Sequence, residues 1–501
     1  MGYHKDYNSI TNIKLVQKYT NTFECIGKLL LKLYLKTQQK TRRVCRLICL
    51  YYLTEGASMM KSSPFILRGN LIYSVDKATL VSIPHGYLVS ENGRCSGVFE
   101  QLPEKYDALE VTDYGDNLII PGLVDLHLHA PQYAFAGQGM DMELLPWLNT
   151  YVFPEEAKYA DLAYAQKRYA RFAAAISSSA TTRAVIFSTL HVPATQLLMR
   201  MMDKTGIQAM VGKVNMDRNS PQNLRETAAQ SAADTEQWIL DCDDQYENIK
   251  PILTPRFIPS CTDELMENLG VLQKKYHLPV QSHLSENTAE VDWVKELHPE
   301  STCYGDAYDR YGLFGGECPT IMAHCVHSTE TEIDLMQERG VYIAHCAQSN
   351  MNLSSGAAPV RNYLDRGMNL GLGTDMAGGF SISIFRSMSD AVQASKLRWA
   401  MMDPSLKPLS LSEVFFLATK GGGSFFGKVG SFEPGYELDA VVLDDENLGP
   451  AEELSVAQRL ERLIYLSDDR NVKVKYIAGK KRSCGSRSPR AGRNLEHWCS
   501  I

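Results

Sequence analysis

Four histidines and one aspartate give this chain its clearest chemical signal. His127 and His129 form a His-x-His pair at the end of an apolar run, GLVDLHLH. In an extended strand, residues i and i+2 project from the same face, so both imidazoles can reach one ion. His283 and His324 end two later apolar runs, and Asp375 ends a third in the phrase GLGTD. Four neutral imidazoles and a carboxylate suit zinc, with ferrous iron as the alternative. Glu286 stands three residues after His283 in SHLSE and has two readings. It is either an acid–base group reaching a substrate nitrogen, or a helix-capping carboxylate beside Ser285 and the following NTAEVDW.

Residues so far apart in sequence need rigid elements to bring them together. Eight apolar runs alternate with helix-like stretches such as DLAYAQKRYARFAAAISSS: 122–129, 181–189, 208–216, 249–257, 278–286, 320–327, 341–350 and 369–375. This alternation predicts an α/β fold with a (β/α)8 barrel of TIM type, whose active site lies at the C-terminal strand ends. The histidines, Glu286 and Asp375 fall at those ends. A two-metal centre bridged by a carboxylated lysine would place that lysine on the fourth strand. ILTPRF has none, and Lys213 belongs to the strand before it. One metal per chain is expected.

Alternating stretches on either side (FILRGNLIYSV, LVSIPHGYLVS and SGVFEQL before; GSFEPGYELDAVVLD and VKVKYIAGK after) read as strands. They predict a small β-sandwich domain built from both flanks of the barrel. The expected organisation is a basic, poorly ordered extension at 1–64, the first part of the β domain at 65–120, and the barrel at 121–430. The second part of the β domain follows at 431–480, then a basic disordered tail at 481–501.

The 501 residues are 44% hydrophobic and 22% charged, an ordinary globular composition. The formal charge of −7 is unevenly spread: residues 1–64 hold 11 Lys/Arg against 3 Asp/Glu, and 473–501 hold 8 against 1. The body between is acidic and makes a poor nucleic-acid surface. No run approaches the ~18 apolar residues of a membrane span, so stable membrane insertion is not expected. The twelve cysteines include no Cys-x-x-Cys pair, which fits reduced thiols in a cytoplasmic protein better than a zinc knuckle or a redox site.

His-x-His, the two later histidines and TD after a glycine-rich strand resemble the amidohydrolase superfamily. PGLVDLHLHAPQYAFAG, LLPWLNTYVFP, TPRF, SHLSEN and GLGTDMAGG are similar to the guanine deaminase family within it, over roughly residues 65–480. The resemblance implies zinc-dependent hydrolysis of guanine to xanthine and ammonia by a homodimer; the acidic body leaves no nucleic-acid partner expected, and the cytoplasm is the expected setting. It implies His127, His129, His283 and Asp375 as ligands of one zinc, with His324 completing the shell or orienting the attacking water. Gln132, Arg256 and Phe257 take substrate-contacting positions, while His129, His283, Glu286 and Asp375 also face the substrate. Asp375 would accept the water's proton and Glu286 would protonate the ring nitrogen. Trp147 is expected to pack the pocket wall. The chain departs from the family's usual pattern at Cys325, where glycine is common, and in HCAQSN, where HCPNSN is common. The rivals are an aminohydrolase acting on another heterocycle and a catalytically silent scaffold. Both fit poorly with an intact set of ligands and substrate contacts.

Overall fold

The computed structural model describes residues 63–449 and 454–482. The extension expected over 1–64 and the tail expected over 481–501 lie outside the described residues, except for the two residues at each inner end. Four strands come first: β1 (Phe65–Ser74), β2 (Leu80–Glu91), β3 (Arg94–Phe99) and β4 (Val111–Pro121). Next are β5 (Leu123–His129), β6 (Thr181–Phe187), β7 (Gln208–Gly212), β8 (Val214–Asn215), β9 (Ile249–Pro251) and β10 (Thr254–Pro255). After them come β11 (Val280–Leu284), β12 (Thr320–His324), β13 (Tyr342–His345) and β14 (Asn369–Leu372). The described chain ends with β15 (Ala440–Leu443), β16 (Val472–Ile477) and β17 (Lys480–Arg482).

Each of the eight apolar runs contains a parallel strand. β5, β6, β7 and β9 make one sheet, and β11 to β14 make another. Leu253 bridges to Val280 between them. At the other edges, Asp375 N donates to His127 O (2.8 Å) and His129 N donates to Met376 O (2.9 Å). β5 and β6 are buried at every position, as parallel strands covered on both faces are.

The connecting helices carry their own start and stop signals. Asp161, Thr262 and Thr329 cap three of them with side-chain oxygens that accept backbone N–H groups. The helix Val192–Thr205 has Pro193 in its first turn and stops at Gly206, whose φ of +73° suits a residue without a Cβ.

Three runs are shorter than their patterns suggest. Residues 249–257 divide into β9 and β10 because Pro251 and Pro255 offer no N–H to a ladder. Residues 208–216 divide at Lys213 into β7 and β8, and β8 pairs with β10 as a separate parallel patch. Of 430–444 only β15 is a strand, since Pro434 and Gly435 (φ +86°) turn the chain before it.

The flanks share one seven-stranded sheet in the order β17-β16-β15-β4-β1-β2-β3. β15 pairs antiparallel with β4, which joins the two flanks in one ladder. The sheet folds back on itself: Phe65 of β1 stacks on Tyr476 of β16 with ring centres 5.3 Å apart, and Arg94 at the start of β3 bridges to Glu437 just before β15. Arg183 on β6 ties this sheet to the parallel strands. Its Nε lies 2.6 Å from Asp439 Oδ2, and its Nη2 lies 2.7 Å from Glu437 Oε2. Asp439 is fully buried and also accepts Ala478 N at 2.7 Å. Arg183→Leu leaves that carboxylate without its countercharge, and we expect a loss of about 3–5 kcal/mol in stability. Thermal or urea unfolding of the variant measures the loss, and adding Asp439→Asn should recover part of it.

Candidate active site

Parallel register brings the sequence-distant histidines to one end of the strands. His283 is opposite Ala323 and Leu284 opposite His324 in the β11–β12 ladder. Immediately after the strands the backbone bends sharply. Ser285, His324, Cys325 and Asp375 all have φ between +45° and +75°. This left-handed conformation is unfavourable for side chains with a Cβ, and such outliers concentrate at functional sites.

The five residues expected to bind metal converge. Nitrogens of His127, His129 and His283 all lie within 4.8 Å of one another. Asp375 Oδ1 lies 3.2 Å from His127 Nε2 and 3.5 Å from His129 Nε2, and its Oδ2 lies 3.8 Å from His324 Nε2. All five are buried or nearly so. Burial pushes the imidazoles of His129 and His283 well below the usual range, and lowers that of His127, so their ring nitrogens carry lone pairs at neutral pH. Burial alone would raise the Asp375 carboxyl; its hydrogen bond with His127 and the electrostatic pull of the surrounding imidazoles outweigh that and hold it well below the ordinary value.

Surrounding contacts determine which nitrogen each imidazole offers. His283 Nδ1 donates to Arg256 O at 2.6 Å, and His324 Nδ1 donates to Asn350 Oδ1 at 2.8 Å. Both rings therefore turn an unprotonated Nε2 toward the centre, that of His283 lying 3.2 Å from His129 Nε2. Neither His127 Nε2 nor His324 Nε2 has a hydrogen-bond partner among the described residues. Buried polar atoms without partners are costly, and a cation at the point of convergence would satisfy them. Phe187, at the end of β6, packs its ring against three of the imidazoles, 4.5 Å from His129 and about 5 Å from His127 and His283.

The two readings of Glu286 separate here. The helix Thr288–Leu297 is capped by Asn287, and the reciprocal carboxylate is Glu290, which accepts Glu286 N at 3.1 Å. Capping thus falls to Glu290 and leaves the Glu286 carboxyl free. Its Oε2 lies 3.5 Å from His324 Nε2, and its Oε1 accepts Ser355 Oγ at 3.4 Å. Burial, followed by the charge of Asp375, pushes it well above the usual carboxylate range. Burial at this position therefore favours the protonated form of its carboxyl.

Gln132, Arg256 and Phe257 line the same cavity as His129, His283, Glu286, His324 and Asp375. Trp147 forms part of its wall and satisfies its own N–H on Gln138 O at 3.2 Å. Cys325 turns away, its Sγ 3.9 Å from Met336 Sδ. The thiol within reach of His127 and His324 is Cys346, which burial keeps protonated. Lys213 is buried 2.7 Å from Glu226, outside the histidine group.

Four residues that the motifs did not single out support the site. Asp125 accepts Thr374 Oγ1 at 2.6 Å and Thr374 N at 3.0 Å. Asn350 orients His324, Glu290 caps the helix, and Glu156 contacts both Arg256 and Gln132. Asp125 stands two residues before the His-x-His pair, and Asn350 ends HCAQSN, so each lay inside a recognised phrase. Nothing in the local sequence marks Glu156.

Residues 118–482 match the model of the Amidohydrolase family. The guanine deaminase of Dictyostelium discoideum is 35% identical over 84% of this chain and 99% of its own. That of Rattus norvegicus is 36% identical over 85% and 98%. Among solved structures, the guanine deaminase of C. acetobutylicum with guanine bound in its active site is 49% identical. It superposes with a TM-score of 0.82, covering 84% of this chain and all of that one. With a family match across most of its length and relatives covered almost end to end, the chain belongs to the amidohydrolase family, among its guanine deaminases.

Proposed function

We propose that this chain hydrolyses guanine to xanthine and ammonia, using one zinc ion bound at the C-terminal ends of a closed (β/α)8 barrel. One observation carries the reading: the Glu286 carboxyl, released from helix capping, opens into the same cavity as Asp375, Arg256 and Gln132. We take residues 121–430 as the barrel and 65–120 with 431–480 as the smaller β domain. The edge contacts at Leu253–Val280 and Asp375–His127 support closure.

His127, His129, His283 and Asp375 would hold the ion, with His324 beside it. The unpartnered Nε2 atoms support a cation there, and the pairing of Lys213 with Glu226 supports a single one. Iron fits the same donors. Bound zinc would lower the pKa of water toward ~7 and so supply a nucleophile at neutral pH.

The remaining work falls to side chains. Arg256 donates to the purine carbonyl oxygen, Gln132 hydrogen-bonds the base, and Phe257 offers an aromatic face. Leu144, Trp147 and Leu148 form an apolar wall that limits water. His324 orients the attacking water, and Asp375 takes the proton it gives up as its oxygen adds to C2. Glu286 protonates the adjacent ring nitrogen. Return of a proton to the exocyclic amine lets ammonia leave, and the C2 carbonyl of xanthine remains. A free base needs no extraction from a polynucleotide stack to reach such a site.

All seven cysteines among the described residues are unpaired, which supports a reducing, cytoplasmic setting. No described helix is long and apolar enough to cross a membrane. We take the working unit to be a homodimer on the family resemblance, which light scattering tests directly.

Ammonia release from guanine, with adenine, cytosine and 8-oxoguanine alongside, tests the reaction on protein of known metal content. Release from guanine alone is expected; no release at one zinc per chain would sink the proposal. Glu286→Gln should lower turnover by ~10²–10⁴-fold, while metal content stays near the wild-type level in elemental analysis. Arg256→Ala should weaken guanine use far more than metal binding, and an equal loss of both would make its role structural.

A further inference from the structure

Glu156 lies at the end of the short helix Phe153–Glu156 and is 1% exposed. It is not part of the cavity lining, yet its two carboxylate oxygens are divided between two residues that are. Oε2 accepts Arg256 Nη1 at 2.6 Å, and Oε1 accepts Gln132 Nε2 at 3.1 Å. At its other end Gln132 Oε1 accepts Ala377 N at 3.3 Å. An ionised carboxylate can only accept, and a backbone N–H can only donate. The Gln132 amide is therefore fixed in one of its two orientations by groups of opposite polarity. The Arg256 guanidinium is held from a second side, with its centre 5.4 Å above the Phe153 ring. Among the described residues, Glu156 is the only carboxylate hydrogen-bonded to Arg256.

We propose that Glu156 is a positioning residue that sets the pocket's selectivity for a ring carbonyl over an exocyclic amine. This rests on the guanine reading above and deepens it. A guanidinium has donors and no acceptor. Anchored through Nη1, it turns its remaining donors toward the ligand in a fixed direction. A carbonyl oxygen on the purine satisfies them. An amino group at the same position sets N–H against N–H and leaves buried donors without partners, the kind of mismatch by which a polar site rejects an analogue strongly. Without the Glu156 charge, the guanidinium can swing away and the distinction blurs, while Ala377 N still holds the Gln132 amide in its orientation.

The test compares guanine with 2,6-diaminopurine, which has the same leaving amine at C2 and an amine where guanine has its carbonyl oxygen. Glu156→Gln preserves shape and removes the charge. We expect kcat/KM for guanine to fall by ~10²-fold, the cost of misplacing binding groups by about an ångström. We expect the guanine to 2,6-diaminopurine preference to fall at least tenfold, with metal content unchanged. If the wild type releases ammonia from guanine and Glu156→Gln keeps the wild-type preference, the positioning role is overturned and the guanine reading stands. If the wild type releases none, both fall.

Should Glu156→Gln fail to accumulate, Glu156→Gln/Arg256→Met contains no buried charge at this pair and carries the test. Its preference should match that of Arg256→Met alone, because Glu156 acts through Arg256. A further change in preference beyond Arg256→Met would overturn the proposal.

Discussion

The Asp125 carboxylate is fully buried, and it accepts hydrogen bonds from the Thr374 hydroxyl and amide, 249 residues further along the chain, and from His127 N at 3.2 Å. Burial pushes this carboxyl up to about 7, even with those bonds favouring its charged form. The next residue, Asp375, donates its own N–H to His127 O. The first and last of the eight parallel strands are therefore fastened within two residues of a histidine and one residue of the aspartate that meet at the site. If that seam shifted by one residue, the alternation of a strand would turn His127 and His129 to the opposite face.

A similar dependence runs outward from every reactive side chain. What His283 and His324 offer the centre is decided by an Arg256 carbonyl and an Asn350 amide oxygen on the far side of each ring. What Glu286 offers is decided by Glu290, which takes over the helix cap. In each case a neighbouring group fixes the direction or the availability of one that reacts. Left-handed backbone at Ser285, His324, Cys325 and Asp375 adds to this. Such conformations persist only where the surrounding structure over-determines them.

The sequence made much of this legible, for physical reasons. Each of the eight apolar runs contains a parallel strand, and β5 and β6 are buried on both faces. Residue type and strand-end position drew attention to the four histidines and Asp375, whereas Gln132, Arg256 and Phe257 were legible only through the family resemblance; all of these but His127 border one cavity, and His127 lies against His129 and His283. Strand lengths were harder, since Pro251 and Pro255 interrupt a run whose apolar pattern continues through them. That the later strands rejoin the sheet begun at 65–120 was legible from alternation on both flanks, but the pairing of β15 with β4 is a long-range choice that alternation cannot express. Glu156 was the least visible. Two adjacent glutamates after a proline look like a solvated helix start, and only tertiary structure brings Arg256 to one of them.

That same sheet has a consequence for how the protein is made. β4 ends at Pro121 and its neighbour β15 begins at Ala440, so about 320 residues separate the two halves of one hydrogen-bonded ladder. At a synthesis rate of ~5–20 residues per second, β4 leaves the ribosome roughly 15–60 s before its partner exists. Throughout that interval LIIP presents an unpaired, apolar strand edge, the template that misfolded chains exploit to join one another. Until residues 440–443 emerge that edge has no partner on its β15 side, so its exposure during translation is set by the order of the chain and not by the stability of the finished sheet.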